Sequence, residues 1–149
     1  PKIVLKKYDQ DLKEDKFQPL VKNSKNIKIV QDAMFSSTNE VRGTSYRSRI
    51  DDPKYQFAGK TGTAQVKRIT KQDRELDLKT LEIPYEERDH ALYVAFGPYR
   101  NPRYAISILI EHGGSGSSVA APIAKKLFKK IIDRHQIRKD FNSKRYLDI

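Results

Sequence analysis

His90-Ala91-Leu92-Tyr93-Val94-Ala95-Phe96 and Tyr104-Ala105-Ile106-Ser107-Ile108-Leu109-Ile110-Glu111 are two apolar runs separated by Gly97-Pro98-Tyr99-Arg100-Asn101-Pro102-Arg103. Two prolines and a glycine between runs of strand length predict a hairpin. The runs barely alternate, which predicts strands buried on both faces. Gly113-Gly114-Ser115-Gly116-Ser117-Ser118 then ends the second strand. Ser118 is the expected N-cap of a helix whose first turn tolerates Pro122. Ile123, Leu127 and Ile131, with Ala124, Phe128 and Ile132 beside them, form two adjacent i, i+4 rows, so this helix has one apolar face.

Working upstream, Tyr55 to Val66 reads as a third strand, with Lys60-Thr61-Gly62-Thr63 at its centre and β-formers around it. The fold class that follows is α+β, an antiparallel sheet with a C-terminal amphipathic helix packed across it. Residues 67–88 hold many charges and few large apolar groups, which predicts a mobile surface excursion rather than a core element. Ile27, Val30, Ala33 and Met34 recur at three- and four-residue spacing and predict a helix from Asn26 to about Phe35, broken by Ser36-Ser37-Thr38-Asn39. Asp51-Asp52-Pro53 is a turn signal. Ile3-Val4-Leu5 reads as a short strand leading into an exposed connection.

Composition narrows the function classes. The chain has 149 residues, the size of one domain. It contains no cysteine, which removes disulfides, thiolate metal sites and cysteine nucleophiles. Its apolar runs are far shorter than the roughly 18–20 residues of a membrane helix. It opens at Pro1 without an initiator methionine or a signal-peptide profile, so a piece of a longer protein is expected. The net charge of +11 suggests nucleic acid or an anionic membrane surface. Its distribution argues otherwise, because nine basic and three acidic residues from Lys125 onward place six of those charges in one terminal segment. A solvated helix face accounts for that segment, and no nucleic-acid partner is expected.

Gly59-Lys60-Thr61 matches the end of a phosphate loop, but Lys54 stands where its first glycine belongs. Gly114-Ser115-Gly116-Ser117-Ser118-Val119 has Val119 in place of the third glycine of a dinucleotide fingerprint. His90, His112 and His135 show no metal-ligand spacing, so structural or surface roles are expected. Ser37-Thr38-Asn39 fits a bare S-x-N string and reads as a helix-ending loop. What remains is Ala58-Gly59-Lys60-Thr61-Gly62-Thr63-Ala64-Gln65, which contains the K-T-G box of penicillin-binding proteins and serine β-lactamases.

The flanks give that short box its specificity. Arg88-Asp89-His90-Ala91-Leu92-Tyr93-Val94-Ala95-Phe96-Gly97-Pro98-Tyr99, Asn101-Pro102, Ile108-Leu109-Ile110-Glu111-His112-Gly113-Gly114-Ser115-Gly116 and Gly43-Thr44 follow in the order seen in one family. With them the chain resembles the C-terminal part of the transpeptidase domain of the penicillin-binding protein 2 family, the class B D,D-transpeptidases of cell elongation. The resemblance covers essentially all of residues 1–149 and is sharpest from Tyr55 to Ile132. A charged excursion after the box is also where this family carries a variable insertion.

The resemblance implies that the strand holds a peptidoglycan stem peptide ending in D-Ala-D-Ala, or a β-lactam. Lys60 would supply positive charge to the terminal carboxylate. The Thr61 and Thr63 hydroxyls would donate hydrogen bonds to it, each worth roughly 1.5–3 kcal/mol when charge-assisted. Gly62 would let the substrate come close, and the backbone N–H of Thr63 would be half of an oxyanion hole. Alternation puts Lys60 and Gly62 on one face and Thr61 and Thr63 on the other, so one set must reach over. The resemblance further implies no metal or organic cofactor, a catalytic domain in the periplasm, an upstream anchor in the inner membrane, and a membrane-embedded SEDS-class glycan polymerase as partner. Such enzymes also need a nucleophilic S-x-x-K box. No serine of this chain is followed by lysine three positions later. Alone the chain is therefore expected to be inactive. A competing expectation is a basic module binding nucleic acid or anionic membrane through residues 125–145.

Overall fold

The computed structural model describes residues 23–67 and 82–145. Among these, helix α1 (Ser24–Asn39) precedes strand β1 (Ala58–Ala64), and strands β2 (His90–Gly97) and β3 (Tyr104–Ile110) form the expected hairpin. A π-helical turn (Gly116–Ala120) leads into the long helix α2 (Ala121–Arg145). The three strands are antiparallel in the order β1-β2-β3. Most of the 67–88 excursion lies outside the described residues, as does Ile3-Val4-Leu5.

Burial corrects the two-sided reading of the hairpin. Ala91, Tyr93, Ala95 and Gly97 are buried, while Leu92, Val94 and Phe96 between them are more open. Val94 is 46% and Leu109 56% exposed. The apolar composition hid a period of two, because both faces carry aliphatic residues and only one is covered among the described residues. On the covered face Phe57, Ala91, Tyr93, Ala95 and Ile108 pack with Ala120, Ala121, Ala124, Phe128 and Ile132 of the π-turn and α2. Phe57 and Phe128 stack with ring centroids 5.0 Å apart. Of the two rows read on α2, Ala124-Phe128-Ile132 is buried, while Ile123 and Leu127 are more than a third exposed.

Ser115, not Ser118, caps this helical segment, its hydroxyl accepting from the Ser118 N–H at 3.4 Å. The start is displaced because Gly116 sits directly on the sheet. A Cβ there would stand 2.5 Å from the Leu92 carbonyl oxygen and 2.6 Å from that of Gly62.

Helix α1 also departs from its apolar pattern. It continues through Ser36-Ser37-Thr38-Asn39, and Ile27 and Val30 are 43% and 58% exposed. The face that meets the rest of the fold carries Lys28, Asp32, Phe35 and Asn39. Phe35 packs on Tyr99 at 4.2 Å, Tyr99 hydrogen bonds Asp32, and Lys28 pairs with Asp32 at 2.7 Å. The Asn39 amide donates to the Phe35 carbonyl and, at 2.9 Å, to that of Phe57. Polar residues at a helix end remain helical when tertiary partners take up their donors, which local propensity does not register.

Candidate functional site

Among the described residues strand β1 has a neighbour on one side only, so its other edge carries backbone groups without a strand partner there. The last turn of α1 closes one end of that edge. Thr38 Oγ1 accepts from the Gly59 N–H at 3.0 Å and lies 3.3 Å from the Gly59 carbonyl oxygen. Along an antiparallel strand the backbone groups of successive residues turn to alternate sides. Gly59 therefore faces outward, and Thr61 and Thr63 face outward with it. Lys60, Gly62 and Ala64 face Val94, Leu92 and His90 of β2.

Lys60 stands on the uncovered face and is exposed. Its amine nevertheless curls over the edge, donating to the Thr61 carbonyl at 2.8 Å and reaching Thr61 Oγ1 at 3.4 Å. The lysine is thus the group that reaches over. Its charge, the Thr61 hydroxyl and the outward backbone groups of Thr61 and Thr63 come together on one edge. Two residues given no site role from sequence join them. Thr44 Oγ1 is 3.3 Å from Thr61 Oγ1, and Ser37 Oγ is 3.2 Å from Thr44 Oγ1. Gly43-Thr44 was the available signal, a matched pair with no role attached to it.

Beneath this line lies a buried cluster of hydroxyls. Thr38, Ser45 and Tyr93 are at most 1% exposed, and Thr38 Oγ1 stands 2.9 Å and Ser45 Oγ 3.1 Å from the Tyr93 hydroxyl. Ser45 also donates to the Ser37 carbonyl at 3.0 Å, which ties the 43–45 loop back onto α1. Burial pushes the Tyr93 phenol above its ordinary pKa, against the opposing effect of the Ser45 and Thr38 hydrogen bonds. Ser37-Thr38-Asn39 is therefore the anchor of β1, not a helix-ending loop. A local reading does not show this role, because the Ser37–Thr44 and Thr38–Tyr93 contacts span 7 and 55 residues.

Two glycines of the box do different work. A Cβ on Gly59 would meet the Tyr93 hydroxyl at 2.3 Å, whereas one on Gly62 would meet only Leu92 Cβ at 3.3 Å. Packing forbids a side chain at 59, whereas at 62 a methyl would be tight and Leu92 would have to give by a few tenths of an ångström. At the far end of β1, the Asp89 carboxylate accepts from the Val66 N–H at 3.3 Å and its carbonyl from the Gly114 N–H at 2.7 Å. His112 donates its backbone N–H to His90 Nδ1 at 3.0 Å and its own Nδ1–H to the Arg88 carbonyl at 3.1 Å. These two histidines serve the backbone, as expected. No cluster of three metal-ligating side chains occurs among the described residues.

An open strand edge bearing K-T-G, with an ammonium folded over it, is the setting in which comparison with known proteins becomes informative. The penicillin binding protein transpeptidase domain model matches residues 1–129. The chain belongs to that family. Peptidoglycan D,D-transpeptidase MrdA of Salmonella typhimurium is 39% identical over 105 residues, which cover 70% of this chain and 16% of that protein. The Acinetobacter baumannii MrdA is 44% identical over 79 residues, 53% of this chain and 11% of its own. The chain thus spans about a sixth or less of these relatives. Among solved structures, the complex of penicillin-binding protein PBP2 with MreC from Helicobacter pylori superposes with a TM-score of 0.59 at 34% identity, covering 73% of this chain and 17% of that one. Pseudomonas aeruginosa PBP2 in complex with WCK 5153 gives 0.57 at 32% identity, covering 75% and 21%. The three-stranded antiparallel sheet and C-terminal helix of the described residues fit the α+β class.

Proposed function

We propose that this chain is the C-terminal, substrate-holding portion of a PBP2-type peptidoglycan D,D-transpeptidase, and that its β1 edge receives the stem peptide. The observation that carries this reading is the position of Lys60 Nζ over the Thr61 carbonyl, on an edge where Thr61 and Thr63 turn their backbone groups outward. An extended peptide pairs with such an edge by strand addition. Its terminal carboxylate exchanges the carbonyl partner of Lys60 for a charged one, and charge-assisted hydrogen bonds are roughly twice as strong as neutral ones. Thr61 and Thr63 hydroxyls complete the carboxylate site. The Thr63 N–H serves as one oxyanion donor, typically worth about 10²–10³ in rate.

The nucleophile comes from an S-x-x-K box outside this sequence. Its serine oxygen attacks the penultimate D-Ala carbonyl, D-Ala leaves with a proton, and the acyl group passes to an amine of a neighbouring stem. A β-lactam acylates the same serine, its opened ring remaining attached. The intact protein is proposed to be anchored in the inner membrane with its catalytic domain in the periplasm, working with a SEDS-class glycan polymerase. The H. pylori relative's complex with MreC supports a place in an elongation assembly. No helix among the described residues is long and apolar enough to cross a membrane.

Fluorescent penicillin, applied to this chain and to one extended upstream through its S-x-x-K box, tests the proposal. Labelling of the longer chain alone is the expected result. Labelling of neither favours the basic-module reading. That reading has its own observation, an open cleft where Arg47, Lys125, Lys126 and Lys129 converge. It requires binding to anionic polymer or lipid that weakens steeply with salt.

A further inference from the structure

We infer that Thr44, supported by Ser37, is a positioning residue that fixes the direction in which the Thr61 hydroxyl donates, so that its proton points to the ligand carboxylate. The inference rests on the proposed function and concerns residues that the K-T-G box does not include.

Ser37 Oγ, Thr44 Oγ1 and Thr61 Oγ1 form a line with separations of 3.2 and 3.3 Å, ending beside Lys60 Nζ at 3.4 Å. Each hydroxyl has one proton and two lone pairs. Lys60 is an obligate donor, so one lone pair of Thr61 is directed at it. Two arrangements remain for the contact between Thr44 and Thr61. If Thr61 donates to Thr44, Thr61 turns only lone pairs to the edge and offers a carboxylate there no proton. If Thr44 donates to Thr61, both lone pairs of Thr61 are engaged and its proton is directed at the ligand. Thr44 then has lone pairs free to accept, and Ser37 is in place to donate to one of them. The line therefore runs Ser37 to Thr44 to Thr61 to carboxylate, each bond polarising the next.

The fold holds this line from below. Thr44 lies between Gly43 and Ser45, and both neighbours are fixed. A Cβ on Gly43 would stand 2.3 Å from the Ser37 carbonyl oxygen, so the loop lies against the last turn of α1. Ser45 donates to that same carbonyl at 3.0 Å, and its hydroxyl stands 3.1 Å from that of buried Tyr93. Thr44 itself is exposed, so its hydroxyl is available at the edge without serving the core.

The test uses the full-length parent protein, with acylation followed over a range of β-lactam concentrations. One ligand carries the free carboxylate, and the other is its methyl ester. Thr44→Val is expected to weaken the concentration dependence for the acid about fivefold, in keeping with one neutral hydrogen bond, while leaving the limiting acylation rate nearly unchanged. Thr44→Ser is expected to restore it. For the ester, wild type and Thr44→Val are expected to be equal, because no carboxylate is present to receive the proton. An equal penalty for acid and ester makes Thr44 merely structural and overturns the inference. So does an unchanged or improved affinity of Thr44→Val for the acid. Absence of acylation in the wild type overturns the transpeptidase reading itself, and this inference with it.

Discussion

Replacing Thr38 by valine keeps the side chain's shape and removes one oxygen, and the consequence follows from the bonds of that oxygen. Thr38 Oγ1 accepts from the Gly59 N–H at 3.0 Å, pairs with the Tyr93 hydroxyl at 2.9 Å, and stands 3.3 Å from the carbonyls of Met34 and Gly59. With one proton and two lone pairs it satisfies two donors and one acceptor. In Thr38→Val the Tyr93 hydroxyl retains Ser45 at 3.1 Å, but the buried Gly59 N–H has no replacement. An orphaned buried donor costs about 1–3 kcal/mol, and the hydroxyl's own bond adds about 0.5–1.5, giving about 1.5–4.5 kcal/mol in all. For a chain of 149 residues each kcal/mol lowers Tm by roughly 2–4 °C, so the melt is expected to fall by roughly 3–18 °C. Thr38→Ser keeps the oxygen and loses a methyl, worth about 0.8 kcal/mol. Urea unfolding of the three proteins, with amide exchange at Gly59 as a local readout, checks the ordering. A valine variant within about 0.5 kcal/mol of wild type, the usual range for surface changes, would refute the reasoning, as would a serine variant as unstable as the valine one.

Three further outcomes are expected. Lys60→Ala in the full-length parent should slow β-lactam acylation about 10–100-fold, the equivalent of one charge-assisted hydrogen bond, with Tm unchanged because Lys60 is exposed; acylation at the wild-type rate contradicts its role. Gly59→Ala should destabilise by about 1–3 kcal/mol through overpacking against the Tyr93 ring, and Gly62→Ala by less than about 1 kcal/mol, with thermal melts showing whether the order is reversed. The raised pKa of Tyr93 means that its folded form holds its proton above the ordinary value of 10.0. Its stabilising contribution is complete below that pH and is lost as pH rises through the folded value. Urea midpoints across the alkaline range should therefore fall more steeply for wild type than for Tyr93→Phe, and parallel slopes would exclude the effect.

Much of the fold was legible because it is written in runs of single residue type. The β2–β3 hairpin announced itself by two apolar runs around prolines, and α2 by paired aliphatic rows. The same rules failed where apolar composition did not coincide with burial. Leu92, Val94 and Leu109 read as core and lie on the more open face. Ile27 and Val30 read as the packing stripe of α1, while the contacts belong to Asp32, Phe35, Thr38 and Asn39. Polar contacts leave no hydrophobic period to detect, so the apolar pattern stops a turn before the helix does.

The sequence by itself determined the α+β class, the K-T-G strand, the absence of an S-x-x-K serine and the family resemblance that the comparisons bear out, because each is a property of residue types in a short local order. Only the tertiary structure decided which edge of β1 is open, that Lys60 folds over it, and that Ser37, Thr38, Thr44, Ser45 and Tyr93 stand behind it. The hydroxyl cluster behind that edge is held by hydrogen bonds between residues 7 to 55 positions apart. Such bonds are set by the way α1 and its following loop settle against the sheet, and a chain read in one dimension carries no local record of that distance.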